Sequence, residues 1–323
     1  MDKVKLGRSE LEVSPIAFGT WQLGGDWGAT DEQAAIAAMG RAADLGINFF
    51  DTAQAYGFGA SESLLARALK GRPREQFVIA TKVGLRPMAG GGIERDASPD
   101  WIRRGVDASL QALGTDYIDL YQVHWPDPKV PFAKTAGALA DLKAAGKVRH
   151  VGVSNFDARQ MDEFSKTLLV ETLQPVYHLF RRDIEQSVLP YTKAKNVGVL
   201  VYGPLAHGLL SGALTPESHF AADDWRSKSD VFRGEAYLRN LRIVSALERF
   251  AKLDLGTSVS RLAVAWVLAN PAVHVAIVGT RNPKHIEDAI AAADIKLDIS
   301  AMRRIEDIVS DEVRVGGPTP ESV

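Results

Sequence analysis

"INFFDTAQAYG", residues 47–57, begins as an apolar, β-favouring run, ends that run on a carboxylate at Asp51 and sets a phenol, Tyr56, five positions further on. If INFFD is a strand buried on both faces, it needs neighbours of the same kind. The chain supplies them as IAFG from Ile16, FVIATK from Phe77, YIDLYQVH from Tyr117, VRHVGVSN from Val148, TLQPVYH from Thr172, VGVLVYG from Val197 and VAIVG from Val275. Longer amphipathic segments lie between these runs, and their spacing predicts helices over 31–45, 61–69, 99–113 and 134–145, the last closed by the glycine of AAGK. Strand and helix in alternation is the pattern of βα units around a parallel sheet. Eight such units in 323 residues predict a single-domain (β/α)8 TIM barrel spanning 1–323, with an N-terminal β-hairpin at VKLGRSELEVS (4–14). An open α/β sheet is the alternative arrangement of the same runs. MAGGG (88–92) and the segment 212–234 read as long loops.

Composition narrows the function. With 46% hydrophobic and 24% charged residues, the chain has the profile of a soluble globular protein. A formal charge of −2 and a pI near 6.4 provide no basic field for nucleic acid or an anionic membrane. The absence of cysteine removes thiolate nucleophiles and disulfides and is compatible with a cytoplasmic enzyme. The stretch MDKVKLGRSELEVSP lacks the apolar core of a signal peptide. His, Asp and Glu occur without metal-ligand spacing, so no metal is expected.

In a (β/α)8 barrel, chemistry is built where strands end. INFFD ends in Asp51, FVIATK in Lys82, YIDLYQVH in His124 and VRHVGVSN in Ser154 and Asn155, with Gln174 early in the sixth unit. Neighbouring strands two, three and four would point an acid, a lysine and a histidine into one mouth, with Tyr56 leaning over it. A phenol with a pKa near 10 is a poor acid at neutral pH, and a nearby ammonium lowers that pKa. Lys82 can act on Tyr56 in this way, and Asp51 can keep Lys82 charged. His124 can donate a hydrogen bond to a carbonyl oxygen. Such a set can protonate a carbonyl oxygen but supplies no electron pair to the carbon, so a hydride donor must come from outside. Ser154, Asn155 and Gln174 suit a carboxamide such as that of nicotinamide, and Tyr202 can stack on its ring.

These residues resemble the aldo-keto reductase superfamily, from Leu6 to about Val313. FFDTAQAYG is similar to that family's Asp and Tyr motif, IATKVG to its Lys motif, LYQVHWPD to its His motif and VRHVGVSNF to its nicotinamide motif. YGPLAHGLLSG and VGTRNPKHIEDAI resemble the cofactor segments of the bacterial branch that includes potassium-channel β-subunit-like proteins. The resemblance implies a catalytic tetrad of Asp51, Tyr56, Lys82 and His124, with Tyr56 the general acid in reduction of aldehydes, and of ketones as a second class. It also implies an NADP(H) site, with NADH a weaker expectation. Gly19, Thr20, Trp21 and Asp51 would lie along the cofactor, Ser154, Asn155 and Gln174 would hold the carboxamide, and Tyr202 would stack. Gly203, Pro204, Leu205, Gly208 and Ser211 would line the pyrophosphate, with 212–234 as a covering loop. Gly279, Thr280 and Arg281 would meet the 2′-phosphate, followed by His285 and Asp288. Relatives commonly carry Gln or Arg where this chain has His285.

Trp21, Phe58 and Trp125 flank the tetrad motifs and are expected as an apolar substrate wall, with Trp27, Trp225 and Phe232 able to approach from loops. His150, His178 and His207 read as ordinary strand or loop histidines. Two rivals share these residues: a cofactor-binding regulatory subunit acting through a protein partner, and a Schiff-base lyase with Lys82 as nucleophile.

Overall fold

The computed structural model describes residues 1–24, 31–222 and 224–320. A short antiparallel hairpin, β1 (Val4–Lys5) and β2 (Glu12–Val13), precedes the first three barrel strands, β3 (Ile16–Gly19), β4 (Phe49–Asp51) and β5 (Val78–Val83). A second antiparallel hairpin follows, β6 (Leu85–Pro87) and β7 (Ile93–Arg95). Then come β8 (Ile118–Val123), β9 (Val148–Ser154), β10 (Thr172–Gln174), β11 (Gly198–Tyr202) and β12 (Val275–Gly279). Strands β3, β4, β5, β8, β9, β10, β11 and β12 pair in parallel, and β12 closes on β3, so the structure is a barrel and not an open sheet. MAGGG, expected as a loop, is the turn of the β6–β7 hairpin, closed by Met88 N–H donating to Gly92 O at 3.0 Å.

The helices are α1 (Glu32–Asp44), α2 (Ala60–Ala68), α3 (Pro99–Leu113), α4 (Phe132–Ala144), α5 (Ala158–Ser165), α6 (Val188–Ala194), α7 (Gly234–Asp254), α8 (Val259–Ala269), α9 (Pro283–Ala292) and α10 (Ile299–Val309). Their ends follow local chemistry. Asp31 accepts from the amides of Gln33 and Ala34 to start α1, and Ser98 caps α3 ahead of Pro99. Gly114 stops α3 in the left-handed conformation. Asp157 and Gln160 form a reciprocal capping box on α5. Among the described residues no helix is long and apolar enough to cross a membrane.

Strand alternation sorts the core into two layers. Ala17, Phe49, Ala80, Leu120, Leu200 and Val275 point into the barrel, where Leu6 and Val13 of the N-terminal segment plug its floor. Their sequence neighbours Phe18, Phe50, Ile79, Tyr121 and Val199 point outward into the larger core beneath the helices. Because the period is two, the residue two positions beyond each inward apolar side chain also points inward. Those positions hold Gly19, Asp51, Lys82, Gln122, Tyr202 and Ile277, so a mouth that is polar on four of these six strands sits one step above an apolar floor.

Candidate active site

Lys82 lies beneath the mouth, with its side chain 0% exposed. Its ammonium donates to Asp51 Oδ2 at 2.7 Å and to Thr52 O at 2.8 Å, and it stands 3.4 Å from the Tyr56 hydroxyl. Burial pushes the Asp51 carboxyl up and the Lys82 ammonium down, and each charge opposes that shift in the other. Asp51 is shared, because Gln174 Nε2 donates to its Oδ1 at 2.7 Å. Tyr56 and His124 meet edge-on, ring centroids 5.6 Å apart. Burial, with the Lys82 charge nearby, holds His124 well below the ordinary histidine range, so its imidazole is neutral.

The groups expected at a carboxamide form one network. Ser154 Oγ donates to Gln174 O at 2.8 Å, while Asn155 Nδ2 donates to Ser154 Oγ and to His124 O, both at 3.1 Å. Asn155 holds a left-handed φ of 61°, which asparagine tolerates better than most residues. Its Oδ1 accepts from Tyr202 OH at 3.0 Å. Burial pushes the Tyr202 phenol up to about 12, so it stays a neutral donor.

A cleft of about 400 Å³ opens above these groups. It is lined by Gly19, Trp21, Asp51, Tyr56, His124, Trp125, Ser154, Asn155, Gln174 and Tyr202, and extends past Gly203, Pro204, Leu205, Gly208 and Ser211 to Gly279, Thr280, Arg281 and His285. Aromatic rings, amides and the Arg281 guanidinium all line it. That donor set fits a nicotinamide dinucleotide: side chains for the ring end, glycine-rich backbone in the middle and a cation for phosphate.

Three expected residues stand elsewhere. Phe58 is not on the cleft; it is 41% exposed, in the left-handed turn before α2, and faces an outer cavity with Gln54 and Glu62. Thr20 is buried beneath the rim, where its hydroxyl accepts from Ser61 Oγ at 2.7 Å and lies 3.2 Å from Asp51 O. Asp288 turns to α8 and pairs with Arg261 at 2.5 Å, and does not line the cleft. The described part of 212–234 also lines none of it. Trp225 from this segment packs edge-on against His207, centroids 5.0 Å apart, and Arg226 donates to His207 O at 3.1 Å. Phe232 is buried against Trp225. Trp27 lies outside the described residues.

Other lining residues had no strand-end signal. His207, read as an ordinary histidine, borders the cleft, as do Gln22, Asn282, Leu85 and Ile93, the last two from the β6–β7 hairpin. The largest omission is the tail, Gly317 to Thr319 and Pro320. It is led there by Val315, whose amide donates to Phe180 O at 3.0 Å, and by Asn240, which bonds both the N–H and the C=O of Val313. A Cβ on Gly317 would lie 3.0 Å from the His207 ring, so the small residue permits the approach.

A model of the aldo/keto reductase family matches residues 15–310. The chain belongs to the aldo-keto reductase family. The chain is 43% identical to the aldo-keto reductase YhdN of Bacillus subtilis (strain 168) over 290 residues, covering 89% of this chain and 87% of the relative. It is 33% identical to an NADH-specific methylglyoxal reductase of Escherichia coli (strain K12), covering 94% and 98%. Its structure is similar to that of a glycerol dehydrogenase from Gluconobacter oxydans, with a TM-score of 0.89, 36% identity and 98% of each chain covered. This aldo-keto reductase is therefore an oxidoreductase of a family that uses nicotinamide cofactors.

Proposed function

We propose that this aldo-keto reductase reduces aldehydes, and ketones as a second class, to alcohols with NADPH, and that Tyr56 is the general acid. The observation that carries the reading is the buried Lys82 ammonium shared by Asp51, Thr52 O and the Tyr56 hydroxyl. Bound NADPH supplies the hydride to the carbonyl carbon. As negative charge grows on the oxygen, Tyr56 OH gives up its proton and Lys82 stabilises the phenolate left behind. Neutral His124 can donate a hydrogen bond to the same oxygen, which fixes its position and favours its developing charge. Gln174, Ser154 and Asn155 orient the carboxamide, and Trp21 and Trp125 wall off water from the reacting carbon.

Arg281 supports NADPH over NADH, since a guanidinium at the adenosine end of the cleft can bind a 2′-phosphate bidentately. The test is saturable NADPH oxidation with an aldehyde series, beside Tyr56→Phe. Tyr56→Phe is expected to lower kcat by roughly 10²–10⁴-fold, the range for a lost general acid, while NADPH quenching of tryptophan fluorescence stays unchanged. NADPH binding with no turnover of any carbonyl would favour the regulatory-subunit reading.

A further inference from the structure

Lys82 has a second carboxylate near it that the chemistry above does not use. Glu62, on α2, is 0% exposed. Alternation along β5 turns Lys82 into the barrel and its neighbour Thr81 outward, and there Thr81 Oγ1 donates to Glu62 Oε1 at 2.6 Å. Glu62 Oε2 is also buried and, among the described residues, has only the neighbouring Ser109 hydroxyl to turn to; Gln54 Oε1, on the same outer cavity, is buried with no hydrogen-bond partner among them. A buried carboxylate with one oxygen poorly satisfied is destabilising unless a charge compensates it. Among the elements packed around it, α1 commits its Glu32, Arg41 and Asp44 to ion pairs with Arg67, Glu287 and Arg72. β8 offers Tyr121, whose phenol burial pushes well above its ordinary range, so it is neutral. α3 offers the Ser109 hydroxyl, and its Asp107 is paired with Lys147 at 2.5 Å. β5 offers Lys82, whose attraction favours the charged form of both partners.

We propose that Glu62 is a positioning residue of this site: an ionised carboxylate behind the barrel wall that, with Asp51 in front, keeps the Lys82 ammonium charged and fixed beside Tyr56. The inference rests on the carbonyl-reductase reading above. Burial pushes the Glu62 carboxyl up, and the Thr81 hydrogen bond, the nearby Ser109 hydroxyl and the Lys82 charge oppose it. Glu62 would thus act on both the strand and the charge, since holding Thr81 also holds the strand position from which Lys82 projects.

The test is the pH profile of kcat/KM for aldehyde reduction. Removing a nearby negative charge favours deprotonation of Lys82 and Tyr56, and reduction needs Tyr56 protonated, so the basic limb moves to lower pH. Glu62→Gln, which keeps an acceptor for Thr81, is expected to leave roughly three- to tenfold less activity at a fixed pH on that limb, with NADPH binding within about twofold of wild type. Thr81→Val, which strips the hydrogen bond that favours the ionised form, is expected to move the limb the same way, and Thr81→Ser to restore it. That pair decides the matter if Glu62→Gln does not fold. Profiles of Glu62→Gln and Thr81→Val that superimpose on a wild type still dependent on Tyr56 would overturn the proposal and leave the reductase reading intact. A wild type that reduces no carbonyl would overturn both.

Discussion

Asp51→Asn removes one charge from a pair whose side chains are 4% and 0% exposed and whose atoms are 2.7 Å apart. The wild-type carboxylate receives two donors, Lys82 Nζ on Oδ2 and Gln174 Nε2 on Oδ1. Asparagine offers one acceptor oxygen and a second donor, so either Lys82 or Gln174 loses its partner. Breaking a buried pair from one side costs about 3–5 kcal/mol, because the remaining charge is left uncompensated. Loss of the Lys82 proton would relieve part of that cost and withdraw the charge that stabilises the Tyr56 phenolate. The expected result is a fall in Tm of roughly 6–10 °C, at about 2 °C per kcal/mol for a chain of this size. Turnover at saturating NADPH is expected to fall by about 10²–10³-fold, the scale of a lost transition-state electrostatic contact. Thermal melts and steady-state kinetics on one preparation measure both. Adding Lys82→Met should recover part of the stability and none of the turnover, since the stranded charge goes and the tuning does not return. An Asp51→Asn variant that melts within about 2 °C of wild type and turns over within threefold would refute the reasoning.

Arg281→Ala is expected to weaken NADPH binding by roughly 1.5–3 kcal/mol while NADH changes little, as a lost charge-assisted phosphate contact requires; equal weakening of both in a fluorescence titration would remove the 2′-phosphate assignment. Gly198→Ala would place a Cβ 2.6 Å from Leu6 O and 2.8 Å from Leu6 Cγ, where the N-terminal segment plugs the barrel floor. A loss of about 1–3 kcal/mol is expected in denaturant unfolding, and an unchanged midpoint would show that the plug yields. Burial and the Arg181 and Arg226 charges push His207 down to about 3. The unfolded chain therefore takes up a proton below about pH 6.5 that the folded chain refuses until near pH 3. Stability from this residue is whole above pH 6.5 and declines as the pH falls towards 3. Near pH 5 the loss is about 2 kcal/mol, measurable as a lower urea midpoint than at pH 7 that His207→Asn would partly abolish.

The barrel was legible because its strands are apolar on both faces, and the site because polar residues end those strands. A period of two carries a reader from Phe49 to Asp51 and from Ala80 to Lys82 without any coordinates. What failed was what depends on a loop's direction. Phe58 sits two residues beyond Tyr56 in sequence, but a left-handed φ of 44° accompanies its turn to the outer surface. Thr20 follows a cleft glycine, yet its hydroxyl is satisfied inside by Ser61 and Asp51 O, so it has no reason to face the opening. Asp288 found a cation on the preceding helix α8, Arg261, that spacing alone does not reveal. The tail at Gly317 and Thr319 carries no periodicity at all; tertiary bonds from Phe180 and Asn240 bring it to the mouth.

The sharing of Asp51 links the two halves of the site. Gln174 commits one Nε2–H to Asp51, which leaves its second Nε2–H and its Oε1 for other partners. Ser154 Oγ already donates to Gln174 O, and Asn155 Nδ2 donates to Ser154 Oγ and His124 O, so these side chains are held as one network by their own bonds. Asn155 in turn holds His124 through the carbonyl of that residue at 3.1 Å. Hydrogen bonds thus run without a break from Lys82 through Asp51 and Gln174 to Ser154, Asn155 and the His124 backbone. A change at Gln174 is for that reason not confined to cofactor affinity. Gln174→Ala strips a hydrogen bond from Asp51 and, on the proposed reading, a side-chain partner from the carboxamide. It is expected to lower kcat together with NADPH affinity, and a loss of affinity with kcat intact would show that Asp51 is held well enough by Lys82 alone.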